Sequence, residues 1–298
     1  MKFDELLYKR FVESESITSK MAQYDKKPAI FSGDPPTEEQ SGWDSRSQYP
    51  MLIYNYDMQA NEERNSIGTL SVSLLCQDTS ESAPEDIEKC VRECLKDVAM
   101  MSDDGTPYCF AWNRTDAFTV DNKNISQNDI GLVIGCETRF DILEYPFMET
   151  SDPDPVVALA KHIKEMYPSC RLLGIDEFEG IVEATIESPL VYCRIISSEL
   201  DEETNTVAWL NGRLSVHILC PDSQIRNKMA ADITNQISLA GEVIMLDSSP
   251  MFIKRIQVNY KSDYLKDGQI SLTGRYGLLR YKAKAPTLNN IGIRVGGI

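Results

Sequence analysis

Phe3, Leu6, Leu7 and Phe11 fall at i, i+3, i+4 and i+8, with Lys2, Asp4, Glu5 and Lys9 outside the stripe. This spacing predicts an opening amphipathic helix. A stretch rich in turn formers follows, from Ser32-Gly33-Asp34-Pro35-Pro36 to Tyr49-Pro50. Two apolar segments, Met51 to Asp57 and Thr69 to Gln77, are joined by the polar residues Met58 to Asn65 and predict a β-hairpin with a long tip. The next helix is expected near Ser82-Ala83-Pro84-Glu85-Asp86. There a hydroxyl precedes the start, proline sits in the first turn, and acids meet the positive end of the dipole. Its buried stripe reads Ile87, Cys90, Val91, Cys94, Leu95 and Val98. A short strand around Phe118-Thr119-Val120 and a longer one from Gly131 to Leu143 complete this unit.

The plan then returns. Val156, Leu159, Ala160 and Ile163 form a helical stripe behind Asp152-Pro153-Asp154-Pro155. Leu190 to Ser197 and Arg213 to Leu219 read as a second hairpin with acidic Glu199 to Glu203 at its tip. Asp222 caps a helix with the row Ile225, Met229, Ile233 and Ile237, and strands Ile253 to Tyr260 and Gln269 to Tyr281 follow. The nonapeptides Gly68 to Cys76 and Gly212 to Cys220 agree at six of nine positions. Their flanks match as well, with a Pro-led apolar strand upstream (Pro50, Pro189) and a helix, a strand and a glycine-bearing strand downstream (Gly135, Gly274). A tandem duplication follows. The expected fold class is α+β: two modules of order α-β-β-α-β-β, each a small, mostly antiparallel sheet with helices on one face. The expected divisions are 1–149, 150–284 and a basic, apolar tail 285–298.

Composition narrows the chemistry. The 298 residues carry a formal charge of −16, which argues against a phosphate-gripping nucleic-acid binder and suits a wall that repels DNA. From Arg280 onward, however, Arg280, Lys282, Lys284 and Arg294 stand with no acid. No window is apolar enough for a membrane span, and Met1-Lys2-Phe3-Asp4-Glu5 lacks a signal-peptide layout, so a soluble, cytosol-made protein is expected. The eight cysteines form no Cys-x-x-Cys pair, and Cys76, Cys136, Cys193 and Cys220 lie in strand patterns as buried thiols. His162 and His217 have no nucleophile motif beside them, and no phosphate-binding glycine loop is present. Glu62-Glu63, Asp103-Asp104 and Asp201-Glu202-Glu203 fall in expected loops. No catalytic residue, metal ligand or cofactor is therefore assigned, and a non-enzymatic part of an assembly is expected.

The opening helix, Ala29-Ile30-Phe31-Ser32-Gly33-Asp34-Pro35-Pro36, Tyr49-Pro50-Met51-Leu52-Ile53-Tyr54, the strand Gly68 to Cys76 and the helix near Pro84 give the first module a known layout. It resembles the tail terminator, or tail completion, proteins of tailed bacteriophages and contractile phage-tail-like particles. The resemblance covers most of residues 1–146 and, more faintly, 152–281; the tandem duplication departs from the single-module family. It implies a ring that caps the tail tube and joins it to the neck or capsid. The implied partners are other copies of the chain, the tail tube, sheath or neck proteins, and DNA passing through the lumen without specific binding. The implied locations are the host cytoplasm during assembly and then the virion tail, with no membrane. Three chains would supply six modules, or six chains would place one module in the ring; divergence between the modules favours the latter. The alternatives are another virion structural protein (neck, baseplate or tube component), or a two-domain small-molecule binding protein or enzyme.

Interaction is expected at the hairpin tips, through Glu62, Glu63, Arg64, Glu202 and Glu203, and at the terminal apolar alternation, through Ile291, Ile293, Arg294 and Val295. That terminal segment has three open fates: pairing with its own sheet edge, fraying, or adding to a neighbouring subunit's sheet.

Overall fold

The computed structural model describes residues 2–37, 39–44, 48–78, 83–103, 105–120, 132–148 and 150–280. Among these the chain is mixed α/β, with five α-helices and a majority of strands. In chain order, α1 (Phe3–Glu13) and the one-turn α2 (Glu15–Thr18) precede β1 (Gln23–Tyr24), β2 (Lys27–Pro28) and β3 (Ile30–Ser32). The hairpin β4 (Met51–Asp57) and β5 (Gly68–Gln77) leads to α3 (Pro84–Leu95), β6 (Val98–Met101), β7 (Pro107–Val120) and β8 (Val133–Glu144). The second half runs α4 (Pro155–Met166), β9 (Arg171–Leu172), β10 (Ile181–Glu183), β11 (Leu190–Glu203) and β12 (Val207–Leu219). It ends with α5 (Ser223–Ala240), β13 (Glu242–Ile244), β14 (Pro250–Val258) and β15 (Ile270–Leu279).

Strands β1 and β2 pair as a small ribbon; of the two large sheets, one has the strand order β10-β6-β7-β8-β5-β4-β3 and the other β13-β14-β15-β12-β11-β9. Pairing is antiparallel except for β3 on β4 and β9 on β11, which are parallel. The registers agree closely. Met51 faces Leu75 and Leu190 faces Leu219, in each case one residue after a proline. The parallel edge strands also dock alike, Ile30 beside Leu52 and Leu172 beside Val191. The glycines do not agree. Gly135 pairs with Leu75, whereas Gly274 pairs with Gly212, so Gly274 answers in register to Ile142. A Cβ on Gly135 would lie 2.6 Å from the Phe118 ring, and one on Gly274 would lie 2.5 Å from Met251 Sδ. The two glycines solve different packing problems, and their apparent correspondence is withdrawn.

Each sheet buries one face beneath its helices, as strict alternation demands. In the first half Leu6, Leu7 and Phe11 of α1 and Ile87, Val91 and Leu95 of α3 cover Tyr54, Leu70, Val72 and Leu74. In the second, Leu159 and Ile163 of α4 and Met229, Ile233 and Ile237 of α5 cover Leu214, Val216, Ile218 and Leu272. Each such side chain contributes about 1.5–3 kcal/mol on burial, so these two cores dominate stability. Ile225, expected on the same row of α5, is 37% exposed in its first turn. Helix α5 ends where Gly241 takes the left-handed conformation (φ 73) and closes a C-terminal turn.

Several boundaries differ from expectation. Helix α3 has Ala83 at its N-cap with no side-chain cap, and Ser82 lies outside the described residues. Val98 is not part of that helix: the chain turns through Asp97 at φ 53 and Val98 opens β6. The segment Phe118 to Val120 is the end of a 14-residue strand whose outer half is solvated and whose register shifts between Trp112 and Arg114. Glu199 to Glu203 belong to β11 rather than to a loop, because β12 pairs with them as far as Ala208. The α-β-β-α-β-β layout omits the short strands β3, β6, β9, β10 and β13 at the sheet margins. Strand β10 crosses between halves: Ile181, Val182 and Glu183 pair with Met100, Ala99 and Val98, so the first sheet takes one strand from beyond residue 150.

Candidate interaction surfaces

The faces turned away from the helices meet at one corner. There Ala99, Cys109, Ala111, Leu143 and Tyr145 of the first half pack on Leu173, Val182, Ala184, Leu190, Tyr192 and Leu219 of the second. Small residues on the first side let the larger ones on the second approach closely. The Tyr145 hydroxyl donates to Leu265 O at 2.7 Å, and the Tyr192 hydroxyl donates to Pro146 O at 3.0 Å. Burial pushes both phenols above the ordinary tyrosine range. His217 lies against both rings at 5.7 Å, with Nδ1 2.9 Å from Tyr264 O and Nε2 without a partner. Burial, reinforced by nearby Arg194, pushes its pKa down to about 3, so the imidazole is neutral and Nδ1 donates to the carbonyl.

An ionic cluster closes the seam on its other side. Asp141 of β8 is wholly buried and receives Lys266 Nζ at 2.6 Å, Asn113 Nδ2 at 3.1 Å and Arg64 Nη1 at 3.5 Å. Lys266 comes from the loop before β15 and Arg64 from the β4–β5 tip, so one carboxylate ties three segments of the chain together. A buried carboxylate needs such partners, since desolvation alone would disfavour its charge.

The residues expected at the hairpin tips divide accordingly. Arg64 reaches Asp141 while staying exposed like Glu62 and Glu63, the three sharing a single 3-10 turn. At the second hairpin Arg275 Nη2 reaches Glu202 at 2.5 Å and Nε reaches Asp201 at 2.7 Å, while Arg280 reaches Glu203 at 2.6 Å. Two arginines thus offset about half of the four acids at this tip. Ile291, Ile293, Arg294 and Val295 lie outside the described residues. Asp141, Lys266, Tyr145 and Tyr192 carry the seam and were not singled out by sequence. The one available signal was an aspartate within the apolar run Phe140-Asp141-Ile142-Leu143.

Between the first hairpin's tip and the free face of the second sheet runs an open groove of about 650 Å³, lined by Asn65, Arg194, Arg213, Gln257, Asn259 and Ser262. Arg213 is exposed, and its chemistry suits a polar or anionic group. Burial raises the thiols of Cys76 and Cys170 to about 11 and that of Cys136 to about 12, which keeps them protonated and poor nucleophiles at neutral pH. Among the described residues no group of three His, Cys, Asp or Glu is placed to hold a metal ion, and no helix is long and apolar enough to cross a membrane. The chain matches no protein-family model, no curated protein and no solved structure.

Proposed function

We propose that this chain is a tandem duplication of one α+β module and a structural subunit of a phage or phage-tail-like particle, forming a ring that caps the tail tube. The observation that carries the reading is the repeated register: the proline-led hairpin strand, the shared nonapeptide and the parallel edge strand pair alike in both sheets. The resemblance of the first module to tail terminators supplies the functional class. The two halves touch through different surfaces, the second laying β10 on the first one's edge strand. Such head-to-tail contact is the kind that builds rings when it closes and filaments when it does not. It favours three chains supplying six modules, against the six-chain geometry that divergence between the modules suggests from sequence. The net charge of −16 suits a lumen that passes DNA without gripping it.

The test is the mass of the purified chain by light scattering, together with negative-stain imaging. Closed rings that shorten tubes when added to polymerising tube protein are the expected result. A chain that stays monomeric at every concentration would overturn the proposal, and open filaments would favour the tube-component alternative.

A further inference from the structure

The two sheets differ most in what covers equivalent edges. Strand β6, next to β7 in the first sheet, is paired on its other side by β10 of the second half, with Met101 N donating to Gly180 O at 2.8 Å and Ala184 N donating to Asp97 O at 2.9 Å. Strand β13 holds the same position next to β14, yet no strand pairs with its outer side among the described residues. The register makes the comparison residue by residue. Pro107 opens β7 opposite Met101, and Pro250 opens β14 opposite Ile244. Phe252 thus stands where Cys109 stands, and Ile244 where Met101 stands. Cys109 is 1% exposed and Met101 7%, whereas Phe252 is 40% exposed and Ile244 54%. Leu246, two residues after Ile244, is also 54% exposed. Exposed apolar side chains on an unpaired edge strand make a binding surface or an aggregation hazard.

We infer that the β13 edge and its exposed apolar side chains, centred on Ile244 and Phe252, bind the first half of a second copy of this chain, as the first half's edge binds the second half within one chain. This rests on the ring reading. The occupying surface follows from the same register. Within the chain, Leu190, Tyr192 and Leu219 cover the first half's edge; their counterparts in the first half are Met51, Ile53 and Leu75. Ile53 and Leu75 are half-buried and lie on the face away from the helices. Beside them Phe31, Tyr24 and Trp43 form an aromatic cluster with centroids 5.0–6.0 Å apart, half-buried in the isolated chain. Both surfaces are apolar: among the described residues no strand pairs with the outer side of β13, and Ile53 and Leu75 stay half-buried, whereas Met51 is already buried.

The experiment measures self-association of the full chain by light scattering and sedimentation, with far-UV circular dichroism to verify folding. Ile244→Asp with Phe252→Asp is expected to weaken self-association by roughly 100-fold, the scale of losing two apolar anchors. A folded double variant that assembles like the parent would overturn the inference and leave the ring reading standing. A parent chain that is monomeric throughout would remove the ring reading itself. Mixing sets the orientation. A chain with a spoiled edge and a chain carrying Ile53→Lys should each be monomeric alone and form a 1:1 pair together. Trp43→Asp replaces the second partner if Ile53→Lys unfolds. Absence of the mixed pair would overturn the head-to-tail match.

Discussion

His217 offers the sharpest test of the seam. Its imidazole is buried and neutral, Nδ1 bound to Tyr264 O, Nε2 without a hydrogen-bond partner, and the ring packed beside Tyr145 and Tyr192. Folding lowers its pKa from the ordinary 6.5 to about 3. Between these values the unfolded chain binds a proton that the folded chain refuses, so this group's contribution is complete above pH 6.5 and is lost as pH falls towards 3. At about 1.4 kcal/mol per pKa unit, the loss is roughly 2–3 kcal/mol by pH 4.5. Carboxylates titrate in the same window and pull both ways: burial raises Asp97, whereas hydrogen bonds from Arg139 and Ser249 lower Glu137 and Asp247. The measurement is therefore a difference between two proteins. Urea unfolding at pH 7.0, 5.5 and 4.5 is compared for the parent chain and His217→Gln, whose amide can still donate to Tyr264 O. The variant should be somewhat less stable at pH 7 because its packing is poorer, yet it should lose roughly 2–3 kcal/mol less on acidification. The imidazole resonance assigned by its disappearance in the variant should hold constant from pH 7 to 4.5 in the parent. Parallel losses in the two proteins, or a resonance that moves near pH 6, would refute the buried neutral imidazole.

Two further substitutions probe the elements that set the seam. Lys266→Met removes the nearest cation from the fully buried Asp141 carboxylate and should cost about 2–4 kcal/mol in urea unfolding, with at least half recovered by adding Asp141→Asn. A cost below about 1 kcal/mol would mean that Asn113 and Arg64 suffice. Gly268→Ala places a Cβ 2.7 Å from Val216 O at a φ of +78, and should lower stability by more than about 2 kcal/mol. An unchanged melting temperature would show that the loop before β15 is free to shift.

The sequence carries local periodicity well and partners poorly. Strand β4, covering Met51 to Asp57, has the expected bounds because its apolar run lies between a proline and a polar tip. Helices α1, α3, α4 and α5 are legible because their buried stripes repeat within one window. Strand β6 is hidden for the opposite reason. Val98 falls at i+4 from Cys94, so the helical stripe continues in sequence, and the extended Lys96 followed by the left-handed Asp97 ends it. Strand β10 is three residues long and exists only because β6 offers an edge to pair with. Of β7 only the outer end, Phe118 to Val120, reads as a strand, and its inner half from Pro107 escapes notice because the shift between Trp112 and Arg114 breaks the alternation that would join the two.

The same distinction governs the interaction surfaces. Charge at a hairpin tip is visible in sequence, but whether that charge is available depends on its neighbours. Arg64 reaches Asp141, and Glu202 and Glu203 are matched by Arg275 and Arg280, so residues that read alike have different roles. The terminal strand reads as spare apolar surface, yet a better-defined apolar surface lies inside the fold. Cys109 and Phe252 share a register position and differ in exposure because the second half covers one of them and nothing in the described chain covers the other. Neither residue is conspicuous alone. The contrast appears only when the two sheets are compared position by position, and it turns an internal repeat into a statement about which surface awaits a partner.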